Sequence, residues 1–454
     1  MVHSRSAQRP LSKPSLSLML AIVMIVLLWV AGGASRADAM GQVVVRAGSW
    51  VILATLIFAS PRPALDGLRP VLLLILAAIA LPMLQLVPLP PALWQALPGR
   101  QILLIPGEAV PWRPLTMTPG ATRNALFSLV VPVTMFALLV SADPRVNRWM
   151  PGMLLTMIGA AVILGLLQFS GAGFNSPFLN DTPGIVSSIF ANRNHFALFL
   201  AIGCLIAPVW AFLNRDALRW RGPLAAGLVL LFELTILATG SRSGMLLGGL
   251  ALALALVLVG RRLRRRLRGG PSWLLPALAV LAIIIVAGFV MLSFAADRAD
   301  AINRLIALES DQDMRSRAMP TLLSMIGLYF PFGSGLGGFD PVFRIHEPFA
   351  LLKLTYFNQA HNDFLGILLD AGIFGVAVLA AAIMWWLVST IRVWRSDNDG
   401  ALLGRLGSAI IFLILAASVT DYPARTPTFM AAIVIAAVWL ARARPIRSQA
   451  ALPL

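Results

Sequence analysis

The chain alternates between long apolar runs and short polar segments. An α-helix needs about 20 apolar residues to cross a bilayer, and about 12 runs approach or exceed that length. They lie at residues 15–34, 43–60, 69–88, 124–141, 149–169, 195–213, 223–239, 244–260, 272–295, 362–390, 404–420 and 427–442. The pattern therefore predicts an all-α polytopic membrane protein with about 12 transmembrane helices.

The composition agrees with a membrane protein. Hydrophobic residues make up 59% of the 454 residues and charged residues 12%, whereas a soluble domain carries about 25% charged residues. A net charge of +17 is compatible with nucleic-acid binding. Most basic residues lie in short loops between apolar runs, however, where they act as topology signals and contact lipid headgroups. We therefore expect membrane lipids as partners and no nucleic acid.

The basic residues also predict a topology. Alternate loops, together with both ends of the chain, contain 22 of the 36 Lys and Arg residues, which places both termini in the cytoplasm. The other loops then face outward, and the longest of them is a periplasmic loop at 296–361 with room for a small helical cap. The chain divides into N-terminal helices 1–4 (1–141), helices 5–9 (142–295), this loop, and helices 10–12 (362–454).

The N-terminal apolar run and the metal-binding residue types limit the possibilities further. The first run exceeds the apolar core of a cleaved signal peptide, so we expect a membrane anchor, although "GGASRADA" imitates a cleavage site. The single cysteine, Cys204, excludes an intramolecular disulfide. The histidines are scattered and no HxxxH or CxxC pattern occurs. We expect chemistry without a metal or cofactor.

Two groups of arginines lie in outward segments. Arg242 lies in the short turn "GSRSG" and Arg193 in "NRNH" at a helix start, whereas Arg315 and Arg317 lie in "DQDMRSRAMP". A guanidinium offers a planar fork that suits a phosphate, and a helix N-terminus favours anions. The alternatives are an arginine that reaches to lipid headgroups, N-capping by Asn192 or Asn194, and a solvated loop helix.

His361 lies where the long outward loop meets the next apolar run, in "FNQAHNDFLGILLD". Histidine is suited to general base catalysis near neutral pH, with Asn362 or Asp363 holding the ring in one tautomer. The alternative is a histidine that satisfies loop carbonyls. Asp370 lies one heptad beyond Asp363 on the same helical face, and it and Glu233 are intramembrane acids, which are often functional.

A glycine-rich turn, "FPFGSGLGGFDPVF", lies within the long loop. Its four glycines and Ser334 allow tight backbone geometry and exposed amides. No strand–turn–helix unit surrounds it, so it is not a nucleotide-binding fingerprint. The serines of the "TGSRSG" turn likewise lack the GxSxG elbow of a serine hydrolase.

Five segments, taken in order across residues 190–427, resemble the O-antigen ligase and polysaccharide polymerase superfamily of bacterial inner-membrane proteins. They are "FANRNHFALFLAI", "TGSRSGMLLGGLALALAL", "DMRSRAMPTLLSMIGLYFPFGSGLGGFDPVF", "FNQAHNDFLGILLDAGIFG" and "VTDYPARTP". The N-terminal part is similar in hydropathy and in the loop "PWRPLTMTPGATRNAL".

The resemblance implies a GT-C-like fold and a glycosyltransferase active site that faces the periplasm. Such proteins transfer a glycan from an undecaprenyl-diphosphate carrier in a metal-independent, inverting reaction. The acceptor is lipid A–core sugar in lipopolysaccharide biosynthesis, or a growing glycan in O-antigen and exopolysaccharide polymerases, and other polysaccharide-assembly proteins are potential partners. The ligase and the polymerase share these motifs.

The resemblance also implies roles for individual residues. His361 matches the histidine that activates the acceptor hydroxyl, and Arg242 and Arg315 match the arginines of diphosphate recognition. Where relatives read His-x-His-Asn, this chain has Gln359 in place of the first histidine, which suits a role in positioning substrate. The expected site therefore has one catalytic residue, three diphosphate-binding arginines and five supporting residues, namely His361; Arg242, Arg315 and Arg193; and Asn362, Asp363, Gln359, Arg317 and Arg425.

Two alternatives come from other classes of protein. A plan of 12 helices with both termini inside is common among transporters, which place polar groups near the membrane midplane. Here the polar groups collect at the outer ends of the helices. The second alternative is a non-catalytic membrane protein of polysaccharide assembly that binds lipid-linked glycan.

Overall fold

The computed structural model describes residues 15–59, 65–141, 144–171, 176–179, 185–214, 217–266, 311–352, 357–396 and 401–443, together with positions 284, 288 and 291. Most of the described residues are helical. The strands described are the two-residue β1 (Pro88–Leu89) and β2 (Arg113–Pro114), which pair antiparallel.

Fifteen α-helices are numbered here in chain order over the described residues. They are α1 (Leu16–Ala31), α2 (Met40–Ala59), α3 (Arg69–Gln85), α4 (Pro91–Gln95), α5 (Pro119–Ser128), α6 (Val130–Ser141), α7 (Pro144–Phe169), α8 (Arg193–Phe212), α9 (Leu218–Thr239), α10 (Arg242–Arg266), α11 (Asp311–Tyr329), α12 (Phe339–His346), α13 (Asp363–Arg395), α14 (Leu402–Ala417) and α15 (Pro427–Arg442). Short 3-10 helices occur at Arg100–Leu103, Phe349–Leu351 and Pro423–Arg425.

The described helices confirm an all-α, multi-pass membrane protein. Seven are long and apolar enough to cross a bilayer, counting α5 and α6 as one span, and four shorter apolar helices accompany them, namely α1, α3, α14 and α15. These match eleven of the expected runs to within a few residues. The remaining expected run, 272–295, lies outside the described residues except at three positions. The count of twelve and the direction of insertion stay predictions.

Helix α8 lies at the centre of the bundle. In the apolar stretch of α8 that is long enough to cross a membrane, 83% of the residues are buried, compared with 28% in the corresponding stretch of α2. Helix α8 packs against α7, α9, α10 and α14. Small residues bring its neighbours close: a Cβ added at Gly244 of α10 would lie 2.3 Å from the Ala197 side chain of α8. Close backbone approach through small residues is a common way for membrane helices to associate.

Helix α13 is broken near its start. Gly372 has φ 55° and ψ −144°, which leaves the carbonyls of Leu369 and Asp370 without partners in their own helix. The glycine-rich turn supplies them, since Ser334 N donates to Leu369 O at 2.9 Å and Gly335 N to Asp370 O at 2.8 Å. The expectation of exposed amides was wrong for these two residues, because the turn fills the break in the helix.

The described part of the expected loop 296–361 carries the expected helical cap. Helices α11 and α12 enclose a small apolar cluster that includes Met325, Tyr329 and Phe343. Arg100 fastens this cap to the preceding loop, donating to Leu115 O at 2.8 Å and Gly333 O at 2.9 Å. Burial lowers the pKa of Arg100 to about 10, so the guanidinium remains charged at neutral pH.

Candidate active site

Four segments that are distant in sequence meet at one end of the bundle. They are the start of α8, the turn between α9 and α10, the start of α13, and the turn 418–426 between α14 and α15. Hydrogen bonds join all four: Asp363 N donates to Ser418 O at 2.9 Å, Asn194 binds Asp421, and Ser241 binds Asn194. The expected gathering of polar loops is therefore present, and it has Asp421 at its centre.

Asp421 accepts hydrogen bonds through both carboxylate oxygens. Asn192 Nδ2 and Asn194 Nδ2 donate to Oδ2 at 3.0 and 2.7 Å, and the backbone N–H of Tyr422 donates to Oδ1 at 3.0 Å. Asn192 also caps α8 by accepting from Asn194 N at 2.9 Å. The capping alternative is correct for Asn192, and the same residue also fixes the carboxylate.

Two histidines flank the same oxygen of Asp421. His361 Nδ1 lies 3.5 Å and His195 Nε2 lies 3.8 Å from Oδ1. Burial would raise the pKa of Asp421, but the adjacent His361 ring and nearby positive charge, including Arg315, hold it well below its usual range. The carboxylate is therefore ionised at neutral pH. The His361 side chain is 16% exposed and that of His195 2%, so His361 is the one within reach of a substrate.

The backbone of His361 is held in an uncommon conformation. Its φ is +48°, in the left-handed region that few residues other than glycine adopt. The next residue secures the bend, because Asn362 caps α13 through Leu365 N at 3.0 Å and donates to Val419 O at 2.8 Å. Strained backbone of this kind is concentrated at functional sites.

Aromatic rings surround the two imidazoles. The Tyr422 ring lies 4.9 Å from that of His361 and 5.2 Å from that of His195, both edge-on, and Phe357 lies 5.1 Å from His361. Burial and the nearby Asp421 raise the pKa of Tyr422 to about 12, so its phenol stays protonated. The rings exclude water from one side of the His361–Asp421 pair, which strengthens their electrostatic interaction.

The turn between α9 and α10 brings Arg242 to the site. Ser241 Oγ donates to Asn194 Oδ1 at 2.7 Å and accepts from Gly244 N at 3.0 Å. The turn is therefore hydrogen-bonded to Asn194, which in turn donates to Asp421. Arg242 is the next residue and the first of α10. Arg193 approaches the same turn, since a Cβ added at Gly240 would lie 3.8 Å from its Nη1.

Arg315 approaches the site from the cap. Its Nη1 donates to Thr420 O at 3.0 Å, next to Asp421, and its Nε is buried and makes no hydrogen bond to the described residues. Arg317 instead donates to Ala350 O at 2.8 Å, within the cap. Of the two loop arginines, Arg315 is the one bonded to the turn that carries Asp421.

Two of the expected supporting residues belong to a structural ion pair. Arg425 Nε lies 3.4 Å from Asp363 Oδ1, and Arg425 Nη1 lies 3.4 Å from Asp370 Oδ2. Asp363 and Asp370 therefore lie on the same face of α13, as expected. Asp363 also accepts from Ser418 Oγ at 3.0 Å. The suggestion that Asn362 or Asp363 orients the imidazole was wrong: Asn362 caps a helix, Asp363 binds Arg425, and the carboxylate beside the ring belongs to Asp421.

Gln359 and Glu233 differ in their relation to the site. Gln359 lies two residues before His361, and its Oε1 is buried without a hydrogen bond to the described residues. An orphan acceptor beside His361 suits a substrate hydroxyl. Glu233 lies inside the bundle on α9, where a Cβ added at Gly248 would be 2.8 Å from its Oε2. Across the ranges that the structure describes, no three His, Cys, Asp or Glu side chains gather as a metal site.

Sequence reasoning missed Asp421, Tyr422 and His195 as members of the site. The signal for Asp421 was its place in "VTDYPARTP", a segment with an acid at the end of an apolar run. The residue expected from that segment was Arg425, in a supporting role.

Residues 225–380 match the family model described as O-antigen ligase. The predicted resemblance to the O-antigen ligase and polymerase superfamily is confirmed. The O-antigen ligase match extends from α9 to α13 and includes Arg242, Arg315 and His361. It ends before Asp421 and begins after His195, so two parts of the His–Asp–His arrangement lie outside the matched segment. A comparison with curated proteins finds no matching sequence.

Proposed function

We propose that this protein transfers a glycan from an undecaprenyl-diphosphate carrier to a sugar hydroxyl on the periplasmic side of the bacterial inner membrane. The observation that carries the proposal is the pairing of a partly exposed His361 with a buried, ionised Asp421 beside arginine-bearing segments. The O-antigen ligase match supports a lipid-linked glycan donor and a glycan acceptor.

His361 activates the acceptor in this proposal. Asp421 faces Nδ1 at 3.5 Å and stabilises the tautomer with its proton on that nitrogen. Nε2 then removes the proton from the acceptor hydroxyl as the oxygen forms a bond to the anomeric carbon. A positioned general base contributes about 10²–10⁴-fold to such a reaction. The developing imidazolium is stabilised by the carboxylate that already faces it.

The arginines act on the leaving group. As the bond from the anomeric carbon to the carrier oxygen breaks, negative charge collects on undecaprenyl diphosphate. Arg242 and Arg315 hold this diphosphate and stabilise the departing charge. Arg193, which lies beside the turn that carries Arg242, assists them. The unused Nε of Arg315 supports this role, because a buried donor without a partner costs free energy until an acceptor arrives. The apolar helices accommodate the polyprenyl tail.

Gln359 takes a positioning role. Its orphan Oε1 would accept a hydrogen bond from a second hydroxyl of the acceptor sugar, two residues from the base. This contact would orient the acceptor rather than take its proton. It explains how a glutamine serves where relatives have a histidine.

The test is a reconstituted transfer assay with purified full-length protein, lipid-linked glycan and acceptor. We expect His361→Ala and Arg315→Ala to abolish transfer with normal membrane insertion and abundance, while Arg317→Ala, a matched control on the same helix, retains most activity. Full transfer by His361→Ala would overturn the proposal. A transporter would instead depend on intramembrane acids such as Glu233 and Asp370, and a non-catalytic assembly protein would tolerate His361→Ala.

A ligase and a polymerase differ in their acceptor. The glycans that accumulate or disappear in a deletion strain show which acceptor this protein uses. Full-length glycan left on the carrier indicates a lost ligase. Single repeat units on the surface lipid indicate a lost O-antigen polymerase. Loss of a secreted polymer with normal surface lipid indicates an exopolysaccharide polymerase.

A further inference from the structure

Arg46 is a charged residue in the membrane-spanning part of α2, away from the His361 site. It lies six residues beyond Met40, where α2 begins, which is about 9 Å along the helix axis. Arginine keeps its charge under physiological conditions. A charge at this depth costs free energy unless another group compensates it, and such residues commonly mark binding sites.

The hydrogen bonds that Arg46 makes to described residues are all with neutral groups. Its Nη1 donates to Asn124 Oδ1 at 2.5 Å and its Nη2 to Gln42 Oε1 at 2.9 Å. Its Nε is buried and makes no hydrogen bond to the described residues. Within the described part of the chain no carboxylate forms an ion pair with Arg46, whereas Arg425 pairs with two acids. Arg46 therefore holds an uncompensated charge and an unused donor.

The surroundings of Arg46 combine a second cation with exposed apolar side chains. Val43 and Trp50 lie one helical turn to either side of Arg46 on α2, and both are exposed. On the neighbouring α5, Phe127 is exposed and Arg123 is an exposed cation next to Asn124. Cations bordered by apolar side chains match a phosphate that carries an apolar tail.

This part of α2 lies at the same end of the bundle as His361. The turn before α2 packs on segments of the candidate active site, because Ala191 N, next to Asn192, donates to Gly33 O at 3.3 Å and Thr428 N donates to Gly32 O at 3.2 Å. Gln42, which binds Arg46, also donates to Ala34 O in that turn. Arg46 is thus linked through Gln42 to a turn that packs on the candidate active site, although Arg46 is not part of that site.

We propose that Arg46 binds the phosphate of an anionic lipid between α2 and α5, with Arg123 as a second cation and Asn124 orienting the guanidinium. The phosphate supplies the missing negative charge and accepts from Nε, while its tail lies on Val43, Trp50 and Phe127. The ligand is either a membrane phospholipid or a phosphorylated lipid substrate. The site lies apart from the His361–Asp421 pair, and the inference does not rest on the proposed transfer reaction.

Native mass spectrometry of the full-length protein in detergent tests the site with three probes: dioctanoyl phosphatidylglycerol, farnesyl phosphate and, as a control without phosphate, dioctanoylglycerol. We expect the phosphate probes to bind more tightly than dioctanoylglycerol. Arg46→Gln should weaken them by about 10-fold, the scale of one charge-assisted hydrogen bond. Arg46→Lys should recover part of the loss, and Arg219→Gln, an exposed arginine at the other end of the bundle, should bind like wild type.

The two sources give different results. Binding of phosphatidylglycerol alone indicates a membrane phospholipid, and competition by farnesyl phosphate indicates a phosphorylated lipid substrate; both support the site. Asn124→Ala keeps the charge and should weaken binding by a few-fold, which serves as the test if Arg46→Gln does not fold. Equal binding by wild type, Arg46→Gln and Asn124→Ala would overturn the inference. His361→Ala should retain binding whether or not the protein is a transferase.

Discussion

The carboxylate of Asp421 lies 3.5 Å from Nδ1 of His361, although the two residues belong to different turns of the bundle. In this geometry the acid orients the ring, and the opposite nitrogen faces away from it. The two asparagines of α8 fix the carboxylate in turn. The pair makes Asp421 a positioning residue for the proposed reaction.

Asp421→Asn should lower kcat for glycan transfer by about 10²–10⁴-fold, because the amide neither orients the imidazole correctly nor stabilises its protonated form. The acid limb of the pH–rate profile should shift to lower pH, since an amide favours an imidazolium less than a carboxylate does. Asp421→Glu should recover part of the rate. An unshifted profile would indicate a merely structural role for Asp421.

His195 and His361 should differ in their effect on activity. His361 is the more exposed of the two, whereas His195 is buried among Phe190, Tyr422 and Phe429. We expect His361→Gln to abolish transfer and His195→Gln to reduce it by about 10-fold or less, as expected for lost orientation rather than a lost base. Steady-state kinetics at matched protein abundance measure the difference. The reverse order would exchange the roles of the two histidines.

The Arg425 ion pairs should matter for stability. Arg425→Gln leaves Asp363 and Asp370 buried without a cation, and breaking a buried pair in this way typically costs about 3–5 kcal/mol. The melting temperature in detergent should therefore fall. The double variant Arg425→Gln with Asp370→Asn should recover part of the loss. A single variant that melts like wild type would contradict the role of the pair.

Gly372 should not tolerate a side chain. Its φ is +55°, and an added Cβ would lie 2.0 Å from Pro331 O, so Gly372→Ala should separate the glycine-rich turn from the break in α13 and lower the melting temperature. Gly327 in α11 is a matched control, because nothing lies within 4 Å of its added Cβ. Gly327→Ala should stabilise the protein slightly, by about 0.5–1 kcal/mol.

The pH dependence of stability should report the ionisation of Asp421. Its pKa is depressed in the folded protein, so its contribution is fully present above the unfolded value of about 3.9 and is lost as pH falls below it. The difference in melting temperature between wild type and Asp421→Asn should therefore not decrease from pH 8 to pH 5. A decrease above pH 5 would contradict the depressed pKa.

Local sequence patterns determined the helices and several of their ends. Hydropathy depends on composition over one span, so eleven of the twelve expected runs correspond to described helices. The placing of Asn192 at the start of α8 could be predicted because an N-cap needs only its own backbone turn. The proposal of His361 and of the SRSG turn as site residues also came from short motifs, and both lie within the segment that the O-antigen ligase model matches.

Only the tertiary structure decided which polar groups act together. Asp421, rather than its chain neighbours Asn362 or Asp363, faces His361, and Arg425 belongs to Asp363 and Asp370. At the break in α13 near Gly372, the helix carbonyls accept hydrogen bonds from a turn that is distant in sequence. These pairings depend on how the helices pack and rotate against one another. Burial of apolar faces along the whole bundle sets that arrangement, so no single segment contains the information for it.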